Sequence, residues 1–278
     1  MRHRVTAGEP GCSSVLALMA IGLFASACAG GGPLMHPAHT LPDGHVRFAG
    51  GASANFALGA PADAIDAAAA EPIGVVADRP TETYTRGALA AAAMAPGVSP
   101  LVAGRVGLGY DAEGGLAYTG RAVRIDGRWA LEDEAVALSF GAGGSALLSR
   151  RGASPDAQIA GLNLDATTGW GIDVPVVFGW RSAAEVVWWW TGVRGGYERL
   201  RGDVGYEGPA PALPIDGEIE GERPYVMGLM GIAVGFRHLH AGVEVQGGYS
   251  WAKGKLWGTE VEVHGMTVSP AAALMGRF

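Results

Sequence analysis

Apolar residues recur at every second position over most of this chain, a period that suits strands with two unlike faces and does not suit helices. Ala241, Val243, Val245, Gly247, Tyr249 and Trp251 fall on one face of such a strand, opposite His240, Gly242, Glu244, Gln246, Gly248 and Ser250. Trp170, Ile172, Val174, Val176, Phe178 and Trp180 likewise oppose Gly171, Asp173, Pro175, Val177, Gly179 and Arg181. Weaker alternation covers residues 46–58, 102–110, 136–146, 187–197, 226–236 and 266–278. Residues 116–125 read as one irregular strand, because Arg121 and Arg124 fall on opposite faces, and a bulge or an interfacial end accounts for that.

Composition decides what the apolar face meets. Charged residues make up 17% of the 278, against roughly 25% in a soluble domain, and glycine is abundant at 46. Beyond the N-terminus no segment approaches the ~18–20 apolar residues of a spanning helix. A transmembrane β-barrel fits, since its apolar surface lies at alternate positions. Trp170 and Trp180 are ten residues apart. At ~45° tilt that is roughly 23 Å, near the ~25 Å apolar band of such barrels. Trp170, Trp180, Trp189, Tyr197, Tyr249 and Trp251 are therefore the expected aromatic girdle. The opposite face sends Arg47, Asn55, Arg105, Asp173, Arg181, Arg194, Glu198, Glu244 and Gln246 into the lumen, with Trp188 and Trp190 as inward packing.

Connections alternate in length, short at 181–184 and 237–239, long at 149–169 and 203–222, as in barrels with short periplasmic turns and long outer loops. Eight strands fit between residues 101 and 278, and 46–58 adds a ninth. Since single-chain barrels use even numbers, residues 83–93 are expected to supply a tenth. The alternative is eight strands plus a helical insert near 83–95, because Ala90 to Ala93 favour helix.

The N-terminus reads as an export signal: Arg2 and Arg4 precede a short apolar stretch from 15 to 24 that ends in small residues. The run Leu23-Phe24-Ala25-Ser26-Ala27-Cys28 resembles the lipobox of bacterial lipoproteins, which implies lipidation of Cys28 as the first mature residue. Ala25 stands where that motif usually has leucine. The other cysteine, Cys12, lies inside the signal, so a chain starting at Cys28 forms no intrachain disulfide. The expected division is a signal at 1–27, a flexible tether at 28–43 rich in Gly, Pro and His, and the barrel at 44–278.

Phe278 closes an alternating strand and resembles the C-terminal insertion signal of outer-membrane barrels. Together with Thr40-Leu41-Pro42-Asp43-Gly44 and Gly169-Trp170-Gly171-Ile172-Asp173-Val174-Pro175, the pattern resembles uncharacterised outer-membrane β-barrel lipoproteins of Gram-negative bacteria. The resemblance implies a fold and a compartment. Its partners would be outer-membrane lipid and the barrel-insertion and lipoprotein-sorting machinery.

No cofactor or catalytic set is expected. A net charge of −7, or −8 without Arg2, Arg4 and Glu9, argues against nucleic acid. His36 and His39 have no carboxylate partners at metal-ligand spacing. Among catalytic candidates His238, His240, Glu244 and Ser250, the last lies ten residues from His240, roughly 33 Å along a strand. Gly141-Ala142-Gly143-Gly144 lacks the strand–turn–helix setting of a phosphate loop. The expected function is that of a lipid-anchored structural or surface-interaction barrel. A narrow passive channel and a tethered lipocalin-like binding barrel are the alternatives.

Overall fold

The computed structural model describes residues 32–71, 80–148, 159–164, 166–206 and 215–278. Cys12, Cys28 and the expected signal lie outside them. The strands are β1 (Val46–Leu58), β2 (Gly97–Gly109), β3 (Ala112–Tyr118), β4 (Ala122–Glu132), β5 (Val136–Leu147), the short β6 (Leu162–Asn163), β7 (Thr168–Arg181), β8 (Val187–Tyr206), β9 (Ile215–Phe236), β10 (Leu239–Leu256) and β11 (Thr259–Arg277). Apart from β6, which pairs with β8, each strand pairs antiparallel with the next, and β11 returns to β1. Ten strands thus close an up-and-down barrel that leaves no open edge for lipid to meet.

The number is as expected but the membership is not. Residues expected as a strand at 83–93 form helix α2 (Glu82–Met94), after α1 (Ala60–Ala70). Their alanine run has no two-faced pattern, and Thr81 caps the helix by accepting the Tyr84 N–H at 3.1 Å. The tenth strand comes instead from residues 116–125, which are a hairpin and not one strand. Tyr118 pairs with Val123 across the turn at Thr119, Gly120 and Arg121. That turn resets the alternation, so Arg121 and Arg124 are both buried inside.

Outward positions carry the apolar residues: Ile125, Val174, Met230 and Leu274 are 67, 58, 57 and 60% exposed. This is the reverse of a lipocalin-like barrel, whose apolar faces point inward. Trp180 pairs with Trp189 at the end with the short turns. Trp170 lies 5.8 Å from Tyr197, and Tyr249 lies 4.9 Å from Trp251, toward the other end. All six aromatics face outward at two levels, as an apolar band with interfacial edges requires.

β8 to β11, at 20, 22, 18 and 19 residues, run on past the second level, whereas β1 to β5 and β7 have between 7 and 14. Register sets Arg199, Glu222, Lys253 and Glu262 in one row, and Arg201, Glu220, Lys255 and Glu260 in the next. Charge alternates from strand to strand, which favours pairing. The long loop expected at 203–222 is therefore mostly ribbon, with residues 207–214 outside the described set.

Both helices sit within the long-strand end of the barrel. α2 is buried from Gly87 to Met94, and its Tyr84 packs edge-on against Tyr206 at 5.1 Å. The helices approach closely at Gly87, where a Cβ would lie 2.3 Å from the Ala68 Cβ and 2.6 Å from the Ala64 carbonyl. Gly87→Leu is expected to push them apart and lower stability by about 1–3 kcal/mol, read as an earlier urea midpoint of the refolded barrel in detergent.

Candidate functional site

Because the apolar residues take the outer face, the polar ones are forced together in the lumen. Guanidinium donors and carboxylate acceptors alternate there in one chain. Arg128 meets Glu113 at 2.9 Å, and Arg105 bridges Glu113 and Asp126, the latter at 2.6 Å. Arg124 joins Asp126 at 2.6 Å to Asp173 at 2.8 Å, and Arg194 closes the series on Asp173 at 2.9 Å. Every carboxylate serves two arginines, which is how buried ions offset their lost hydration. A second group has Arg121 and Arg223 sharing Glu198 at 3.2 and 2.8 Å. Arg121 also donates to the carbonyls of Ala92 and Ala93, where the C-terminus of α2 favours a cation.

The segment expected as a solvated tether runs inside the barrel: residues 33–41 are all buried. They pair with no strand, so the wall's side chains satisfy their backbone. Glu244 accepts the N–H groups of Leu34 and Met35 at 2.8 and 2.9 Å, with Trp190 Nε1 at 2.9 Å and Gln246 Nε2 at 2.8 Å. Met35 has φ 48°, which turns two successive N–H groups toward one anion. Arg128 donates to His36 Nδ1 and to the carbonyls of Pro37 and His39, and Arg194 to that of Gly32. Glu132 and Glu113 accept the N–H groups of Thr40 and Leu41 at 2.9 and 3.0 Å. Trp190 fits beside this plug because a Cβ on Gly231 would stand 2.2 Å from its ring.

Of the residues expected in the lumen, Arg47, Asn55, Arg105, Asp173, Arg194, Glu244 and Gln246 are buried there. Glu198 is nearly so, and Arg181 sits at the short-turn mouth, 3.2 Å from Glu185. Sequence reasoning missed Arg121, Arg124, Arg128, Glu113, Asp126 and Arg223. Those on β3 and β4 were hidden by the misread hairpin, whose polar face becomes regular once it is split. The catalytic candidates are not brought together. His240 stacks on Trp188 at 4.0 Å, Ser250 meets the Met94 Sδ at 3.1 Å, and His238 lies outside against Phe278. His36 and His39 lie in the plug. Among the described residues no three His, Cys, Asp or Glu form a metal-ligand group.

Among solved structures the chain is similar to Neisserial surface protein A, at 10% identity and a TM-score of 0.29, over 84% of this chain and 96% of that one. No family model and no curated protein matches it.

Glu244 holds four donors, so Glu244→Ala is expected to leave the amides of Leu34 and Met35 without an acceptor. Each buried donor so orphaned costs about 1–3 kcal/mol, and hydrogen exchange at those two amides should accelerate. At the short-turn mouth, burial pushes the Glu185 pKa up, but the hydrogen bond and charge of Arg277, with Arg181, outweigh it and hold the group below its ordinary value. The carboxylate therefore stabilises the fold fully above its unfolded pKa of about 4.3 and loses that effect as pH falls through the lower folded value. The stability gap between wild type and Glu185→Gln is expected to be constant near neutrality and to shrink below about pH 4.

Proposed function

We propose that this chain is a lipid-anchored, non-enzymatic β-barrel of the bacterial outer membrane, serving a structural or surface-interaction role. The observation that carries the reading is the filling of the lumen by the chain itself. Residues 33–41 occupy the short-turn half and α2 the other. The short-turn end, with Phe278, would face the periplasm, and the ribbon of β8 to β11 would project outward to meet surroundings or a partner. The outward apolar face and the two aromatic levels support membrane insertion.

The channel reading needs both fillings to leave. Planar-bilayer recordings are expected to be silent for the intact protein and for a deletion of residues 32–41, because the helices still close the far end. Removing the plug and residues 60–95 together should give conductance. Steady conductance from the intact protein would replace this reading with the channel.

Lipidation at Cys28 has a geometric consequence. Three residues separate it from Gly32, and the four steps between the two span at most about 14 Å. Gly32 is bound by Arg194, seven residues into β8 and roughly 16–18 Å above the mouth along the barrel axis. An acyl chain lying in the inner leaflet therefore draws the Gly32 end of the plug off Arg194. Mass spectrometry of the mature N-terminus is expected to find an acylated Cys28; an unmodified N-terminus elsewhere removes the anchor and leaves the barrel.

A further inference from the structure

Three arginines stand side by side on the luminal face near the short-turn mouth. Arg47 pairs in register with Arg277 on β11 and with Arg105 on β2. Like charges on neighbouring strands are unfavourable, so each needs a counter-charge. Arg105 has Glu113 and Asp126, and Arg277 has Glu185. Arg47 is 4% exposed, meets no carboxylate among the described residues, and keeps Nε and Nη1 buried without an acceptor. Its guanidinium lies 5.5 Å from the centroid of the Trp188 ring, with that of Arg277 at 5.8 Å from the same ring. A ring face attracts the cation but accepts none of its in-plane N–H groups. Trp188 Nε1 is itself buried without an acceptor. Glu113, two residues along β3 from that row, is already taken by Arg105, Arg128 and the Leu41 N–H.

A buried guanidinium without an acceptor is strongly unfavourable, and no described residue supplies one. We propose that Arg47 binds a small monovalent anion of the halide class beside Trp188, completing the counter-charge of the arginine row. Both orphaned nitrogens are closed off from bulk water, which suits a monatomic ion better than a tetrahedral oxyanion.

The test uses the full-length folded barrel in detergent. Its unfolding temperature is followed as sodium bromide replaces sodium gluconate at constant ionic strength. Each tenfold rise in bromide above its dissociation constant is expected to raise the midpoint by about 2–4 °C. Arg47→Met should abolish this dependence while retaining the barrel. Crystals of wild type soaked in bromide should show an anomalous peak within roughly 3.5 Å of the Arg47 guanidinium, an outcome that decides the matter if the variant does not fold. A wild-type map without that peak overturns the proposal. So does a bromide effect that survives in Arg47→Met, or a gain with phosphate and none with bromide.

Discussion

Four arginines and three carboxylates, from Arg128 through Glu113, Arg105, Asp126, Arg124 and Asp173 to Arg194, form one chain of alternating sign across the lumen. It draws on β2, β3, β4, β7 and β8, so it ties one arc of the wall together, spanning β5 between Arg124 and Asp173 as well as joining neighbouring strands. A chain of this kind with arginine at both ends has donors left over. Arg128 and Arg194 spend them on carbonyls of the N-terminal segment, which fixes where the plug lies and in which direction it runs. Glu244, which meets no arginine among the described residues, is satisfied by N–H groups of the same segment. Wall and plug are thus each other's missing hydrogen-bond partners.

The filling follows from the solvent outside. In lipid the strands turn large apolar side chains to the outer face, so much of the inner face is polar and the interior needs filling from elsewhere. Alanines of α2, packed with Leu89, Ile219 and Leu256, the indoles of Trp188 and Trp190, and the plug occupy the space. Asn55 and Arg121 hold the last turn of α2 by its carbonyls, fixing the helix to the wall. The same logic explains the ribbon above the aromatic residues. Once β8 to β11 leave the apolar band their outer faces turn to paired charges, and the strands continue without needing a core.

What could be read from the chain alone was whatever depends on local period. Alternation along β7, β10 and β11 assigns faces residue by residue, and it separates Ile172 and Val174 from Asp173, or Val243 and Val245 from Glu244, because successive side chains of a strand must point to opposite sides. It failed where period is interrupted. Three turn residues after Tyr118 reset the phase, and a count that ran straight through them set Arg121 and Arg124 on opposite faces and lost a strand. The alanines of α2 carried a true helical preference, but the need for an even strand count outweighed it in the reading.

The sequence by itself determined a two-faced, closed β-structure with a polar lumen, since those properties follow from side-chain spacing along each strand. Only the tertiary structure decided which luminal charges meet, that residues 33–41 lie within the barrel, and that the buried Arg47 meets no carboxylate among the described residues. Those depend on the register between strands far apart in the chain. They also depend on backbone groups of a segment that looks, in isolation, like any glycine- and proline-rich linker.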